Sequence, residues 1–214
     1  MREGWKAVIG IIDYGSGNIN AIVNVHEQLN VSYTVVKQKS DLLKSKKLIL
    51  PGVGSFDQTM DQLNKSGLRD YIDNLVIEKK VPVLGICVGM QIMACSSEEG
   101  TLPGLGWFKN STVKKIDVLK LTHKPSIPHM GWNNVSPVQE HSILKEIDFE
   151  HGFYFLHSYV FNCRSENILL TTNYGSEFPS AINNENIFGF QFHPEKSHLN
   201  GLNLFKNFAN LVTK

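Results

Sequence analysis

Six residues in the middle of the chain, "VPVLGI" at 81–86, form an apolar run with no polar alternation. A strand with one wet face alternates polar and apolar side chains, whereas an unbroken apolar strand is covered on both faces, as inside a parallel sheet clad by helices. Three more short runs suit the same sheet, at 7–12 ("AVIGII"), 32–37 ("SYTVVK") and 47–50 ("KLIL"). Stretches at about 18–30, 56–65 and 67–79 carry apolar residues at i, i+3, i+4 spacing and predict helices. That alternation specifies an α/β fold with a mostly parallel central sheet flanked by helices.

From 100 to 160 the pattern changes to Gly/Pro punctuation and short mixed runs, which predicts antiparallel strands in an additional small sheet. A hairpin follows: Ser180 to Asn183, a polar turn "NNEN", then Ile187 to Phe192. A last helix is expected from about 199 to 212, with Leu202, Phe205, Ala209 and Val212 on one face, widened by Leu204, Phe208 and Leu211. No repeat or linker interrupts the 214 residues, so a single domain spanning 1–214 is expected. A chain of that length buries roughly 70–75% of its unfolded surface and needs no disulfide or metal staple.

Composition narrows the function. With 21 Lys+Arg against 20 Asp+Glu, no electrostatic footprint for nucleic acid or anionic lipid stands out. The longest early apolar run ends in Asp13, too short for a membrane span and wrong for a signal peptide. Three cysteines, Cys87, Cys95 and Cys163, form no C-x-x-C and are odd in number, which suits a reducing, cytoplasmic setting.

"GICVG" at 85–89 has the form G-x-C-x-G, the thiol version of the nucleophile elbow, in which a sharp strand-to-helix turn thrusts the nucleophile above the sheet. Cys87 then lies at the carboxyl end of a central strand and the start of a helix, where free N–H groups favour a thiolate. A nucleophile needs a base, and the base an orienting group. "QFHPEKSH" supplies both in His193 and Glu195. Pro194 pushes His193 into extended backbone, where residues two apart share a face, so the carboxylate can hold the imidazole in the tautomer that takes the thiol proton. Zinc chemistry is disfavoured: no cysteine follows His193 to complete a deaminase motif, and Pro194 prevents one helix face from carrying both His193 and His198.

Two glycine loops remain. "DYGSGNIN" holds Asn20 where a dinucleotide fingerprint needs its third glycine, and "LPGVGSF" lacks the phosphate-loop lysine, so no cofactor is expected. An N–H from Gly52 or Val53, with that of Val88, would make an oxyanion hole.

Taken together, "IIDYGSGNI", "LILPGVGSF", "LGICVGMQIM", "PGLGW", "PHMGWNNV", "FYFLHSYVF" and "GFQFHPEKSH" resemble the class I (triad) glutamine amidotransferases of the HisH type, in family order from residue 9 to 213. The resemblance implies that Cys87 attacks the side-chain amide of L-glutamine, His193 moves the proton and Glu195 orients His193. It further implies that Gln91 and Glu99 contact the substrate with the backbone around Ser158 and Tyr159, and that a peptide near Val53 turns before its N–H faces the site. The family pairs with a HisF-type (β/α)8-barrel cyclase that uses the ammonia on the aminoimidazole precursor PRFAR to give imidazole glycerol phosphate and AICAR. Asn18 and Trp132 lie in motifs placed at that partner's face. Ser16, where Pro is common, Val88, where Leu is usual, and "GLGWFKNSTVKKID" depart from the family pattern. The "HPEKSH" ending and these differences also resemble HisH-like paralogues that supply ammonia for amidination of a surface-polysaccharide sugar. A free-standing thiol hydrolase of the gamma-glutamyl hydrolase type and a non-catalytic binding module are the other readings.

Overall fold

The computed structural model describes residues 8–120 and 127–212. Its first half alternates as the apolar runs require: β1 (Ile9–Ile12), α1 (Ile19–Gln28), β2 (Tyr33–Val36), a single helical turn α2 (Lys39–Leu42), β3 (Lys47–Gly52), α3 (Phe56–Lys65), α4 (Arg69–Asp73), β4 (Val83–Cys87) and α5 (Val88–Gln91). The second half contributes β5 (Ser96–Ser97), β6 (Thr112–Lys115), β7 (His129–Asn133), β8 (Ser136–Pro137), β9 (Phe153–His157), β10 (Tyr159–Asn162), β11 (Ile168–Tyr174), β12 (Ser176–Asn184), β13 (Ile187–Phe190) and α6 (His198–Asn210). The expected first strand included Ala7, which lies outside the described residues.

One eight-stranded sheet, ordered β2-β1-β3-β4-β13-β12-β11-β8, organises the molecule. Its first five strands are parallel and the last three antiparallel. Every residue of β1, β3, β4 and β13 is buried, the condition that makes their sequences unalternating. Two small sheets accompany it, β10-β6-β5 and the antiparallel ribbon β7-β9. No helix among the described residues is long and apolar enough to cross a membrane.

Several local expectations need correction. The stretch 67–79 is not one helix: α4 stops at Asp73 and Asn74–Glu78 continues as a π-helical turn. The hairpin turn is shorter than "NNEN", because Asn184 still pairs with Ile187 and only Glu185 and Asn186 cross over. The helix after Cys87 is a single turn. The last helix ends at Asn210, so Val212 lies beyond it and is exposed, and the buried face centres on Leu204, Phe205 and Phe208. There the buried Lys47 ammonium from β3 donates to the carbonyls of Phe208, Ala209 and Leu211, satisfying the helix end.

Candidate active site

β3 and β4 pair in parallel with Gly52 opposite Cys87, and β13 flanks β4 on its other side with Phe190 opposite Ile86. The chain after β13 therefore runs past the cysteine. Cys87 itself has φ 54° and ψ −115°, a conformation that a non-glycine residue holds only when its surroundings force it, at a cost of about 1–3 kcal/mol. The surroundings do so by close approach. A Cβ on Gly89 would sit 1.9 Å from the Leu50 carbonyl oxygen, and one on Gly52 would sit 2.4 Å from the Gly89 nitrogen. Only glycines let strand, turn and helix pack this tightly.

His193 follows β13 in extended backbone, with φ −103° and ψ 93°, as Pro194 demands. Its Nδ1 lies 2.9 Å from Glu195 Oε1, and both side chains are dry, 4% and 2% exposed. The expected route to that contact is wrong in detail: Pro194–Lys196 form a 3-10 turn, and the turn, not strand alternation, brings Glu195 back to the ring. Burial opposes a charged imidazole, but hydrogen bonds with Cys87 and Glu195, and the charges of both, outweigh it and push the His193 pKa up to about 10. An imidazole that holds its proton this firmly is suited to be the counter-ion of a thiolate and the proton donor to a departing amine.

A cavity of about 310 Å³ opens above these groups, lined among others by Val53, Cys87, Val88, Gln91, Glu99, Ser158, Tyr159 and His193. Glu195 stands behind His193, and Gly52 beneath the elbow, at the end of β3. Gln91 is buried in α5 and donates to the Tyr159 carbonyl at 3.1 Å. Glu99 Oε2 accepts the Phe56 N–H at 2.8 Å, at the start of α3. Val53 N–H donates to Ser16 Oγ at 2.9 Å, and the Ser16 hydroxyl donates to the Val53 carbonyl at 3.0 Å. That peptide is engaged with the "DYGSGN" loop and does not offer its N–H to the cavity. Asn18 and Trp132 are not among the lining residues. Asn18 is exposed at the start of α1, and Trp132, 41% exposed on β7, stacks against His198 at 5.4 Å and tilts toward His151 at 4.7 Å.

A sequence model of the family "Glutamine amidotransferase class-I" matches residues 10–211. The imidazole glycerol phosphate synthase subunit HisH of Leptospira borgpetersenii is 48% identical over 205 residues, covering 95% of this chain and all of that protein. The subunit of the same name from Bdellovibrio bacteriovorus is 46% identical over the same shares. The chain belongs to the class I glutamine amidotransferases of the HisH type. Among solved structures, PurLQS from Thermotoga maritima superposes on this amidotransferase with a TM-score of 0.70 at 18% identity, over 96% of this chain and 98% of that one, a likeness of fold.

Several residues around the amidotransferase cavity were not singled out from the sequence. His157 lines it and is buried, with Nδ1 2.8 Å from the Tyr159 carbonyl oxygen and Nε2 2.9 Å from His129 Nδ1. Asp57, which reads as an ordinary first-turn residue of α3, accepts from Thr101 N, Leu102 N and Thr101 Oγ1 at 2.8, 3.0 and 3.3 Å. Gln191 is completely buried between Gln91 and Cys87. The available signal was a lone amide in the apolar run "IFGFQF", two residues before the base.

Proposed function

We propose that this chain is the glutaminase subunit of an imidazole glycerol phosphate synthase, a single domain that hydrolyses L-glutamine and passes the ammonia to a HisF-type barrel cyclase in histidine biosynthesis. The observation that carries the reading is the strained Cys87 backbone beside a buried, proton-holding His193 and its Glu195 partner, in a chain 48% identical to a HisH subunit.

Cys87 Sγ attacks the amide carbon of glutamine. The C–N bond breaks as His193 delivers its proton to the nitrogen, and ammonia leaves. Water then adds to the thioester, giving up a proton to His193, and the C–S bond breaks to release glutamate. Glu195 keeps the imidazole in register through both steps. The Val88 N–H, at the open start of α5, stabilises the oxyanion, and a peptide at Gly52 or Val53 supplies the second donor. Because the Val53 N–H is held by Ser16, that peptide turns before it serves. Glu99 and Gln91 hold the amino-acid end of glutamine with the Ser158–Tyr159 backbone. Trp132, with Met130 and Leu156 exposed on the same β7-β9 ribbon, and Asn18 form the docking face for the barrel.

The test is co-purification with a HisF-type barrel and assay with PRFAR plus either glutamine or ammonium salt. Cys87→Ala is expected to remove glutamine-dependent synthesis, by about 10⁴-fold or more, while the folded complex still uses ammonium. Equal loss of both activities sinks the division of labour. Turnover of glutamine by the isolated chain that no barrel changes would indicate a free-standing hydrolase, and activity only with a sugar acceptor would move the ammonia to another pathway.

A further inference from the structure

Gln191 lies on the run that continues β13, its N–H donating to Ser180 O of β12 at 3.0 Å, and its side chain is sealed from solvent. One end of that side chain is 3.0 Å from Gln91 Nε2 and the other is 3.8 Å from Cys87 Sγ. Which end is which follows from hydrogen-bond bookkeeping. The Tyr159 carbonyl can only accept, so the Gln91 atom 3.1 Å from it is the NH₂ group. That same NH₂ needs an acceptor on Gln191, so the Gln191 atom facing it is Oε1. The atom facing the sulfur is therefore the Gln191 NH₂, a donor with no water at hand to replace its partner.

We propose that Gln191 is a further catalytic residue, whose side-chain amide donates a hydrogen bond to the Cys87 sulfur and stabilises the thiolate each time negative charge gathers there. This rests on the reading of Cys87 as the nucleophile. The charge gathers twice. It is present before attack, when the thiol proton has moved to His193 and the sulfur lone pair is about to form the C–S bond. It returns on deacylation, when the tetrahedral adduct of water and thioester collapses, the C–S bond breaks and its electron pair goes back to sulfur. A distance of 3.8 Å is long for a bond to a neutral thiol, and a charged acceptor draws its donor closer. The arrangement also ties the nucleophile to the substrate pocket, because Gln191 Oε1 occupies one hydrogen of Gln91 and the Tyr159 carbonyl the other. Gln91 Oε1 is the end left to receive a donor from the substrate.

The experiment uses the complex with the barrel partner and two variants, Gln191→Met, which keeps the length and removes the donor, and Gln191→Glu, which keeps an acceptor for Gln91 and sets a carboxylate against the sulfur. The readout is the rate of iodoacetamide alkylation at Cys87 as a function of pH, beside glutaminase kinetics. In Gln191→Met the alkylation midpoint is expected to rise by about one pH unit and kcat to fall about 10- to 100-fold, the ordinary effect of losing a hydrogen bond to a charged group. Gln191→Glu shifts the midpoint further in the same direction. An unchanged midpoint in whichever variant folds, with kcat following only the loss of melting temperature, would make Gln191 a packing residue and overturn the proposal. Failure of the parent reading looks different: Cys87→Ala would then retain glutaminase activity whatever Gln191 does.

Discussion

The two ends of the central sheet carry cavities of opposite character. At the carboxyl ends of β3 and β4, about 310 Å³ of space is walled by Cys87 and His193, both buried, with hydrogen bonds running to Glu195, Gln191, Gln91 and Tyr159. Before the amino ends of β4 and β13 lies a larger space of about 760 Å³, walled by Asp73, Lys80, Trp107, Arg164, Glu185 and Asn186 among others. Its ion pairs, Lys80–Glu185 at 3.0 Å and Arg164–Glu166 at 3.4 Å, are made by side chains more than half exposed. Exposed pairs contribute little and hold nothing in place, whereas dry, partnered groups on a strained backbone are fixed and electrostatically strong. Volume alone points to the second cavity, whereas buried, hydrogen-bonded titratable groups point to the first, the proposed active site.

The largest effect is expected from Cys87→Ala, which should remove glutamine-dependent chemistry, followed by Gln191→Met, which should slow it about 10- to 100-fold. The next largest effect sharpens how its rim is held. Asp57 clamps the loop after Glu99, and Gly100 lies so close that a Cβ there would meet Asp57 Oδ1 at 2.0 Å. Backbone hydrogen bonds from Thr101 and Leu102 hold the Asp57 carboxyl below its usual range, so the anion is the clamp. On the proposal that Glu99 holds the amino-acid end of glutamine, Asp57→Ala is expected to raise KM for glutamine about tenfold, with kcat within about threefold. Steady-state glutaminase kinetics of the complex decide it, and Asp57→Asn should recover part of the loss. A fall in kcat at unchanged KM would show that the loop does not position Glu99.

The histidines around the smaller cavity answer pH in opposite ways. Burial pushes His129 down to about 4, and burial with the charge of His129 pushes His157 down to about 3, so both are neutral in the fold. Unfolded, each titrates near 6.5, so below that pH the unfolded chain binds more protons and stability falls toward pH 4. His193 has the opposite sign: its raised pKa contributes stability below about 6.5 that is lost as pH climbs through about 10. Denaturant titrations should therefore give a dome. In His157→Gln the acid limb should flatten by roughly one proton, about 1.4 kcal/mol per pH unit. An acid limb with unchanged slope would place the sensitivity elsewhere.

Much of this architecture was legible because its causes are local. A strand covered on both faces must be apolar throughout, so β1, β3 and β4 stand out in "AVIGII", "KLIL" and "VPVLGI". The elbow was legible for the same reason, since Gly85 and Gly89 bracket Cys87 within five residues. What was hidden depends on partners far along the chain. Asp57 meets its donors 44 and 45 residues later, and Gln191 meets Cys87 104 residues earlier, distances at which periodicity carries no information. β11, pairing with β12 and β8, was passed over because "ILLTTNY" neither alternates cleanly nor stays apolar. The π-helical turn at 74–78 was hidden too, because its apolar spacing also satisfies an α-helix.

The smallest expected effect is the one that most directly tries to break the contrast between the two ends. If the larger cavity is only a surface recess between the π-helical turn and the β12–β13 hairpin, emptying it of charge should leave catalysis alone. Lys80→Ala and Arg164→Ala each remove one member of an exposed pair and uncover no buried partner. Each is expected to keep kcat/KM for glutamine within twofold and to move the melting temperature by no more than about 2 °C. The sheet offers a mechanical route for a larger effect, because β4 and β13 start at the large cavity and the runs they begin end at Cys87 and His193. A tenfold change in kcat from either substitution, at unchanged melting temperature, would mean that the strands transmit what happens at one end to the other. The larger space would then be a second functional site.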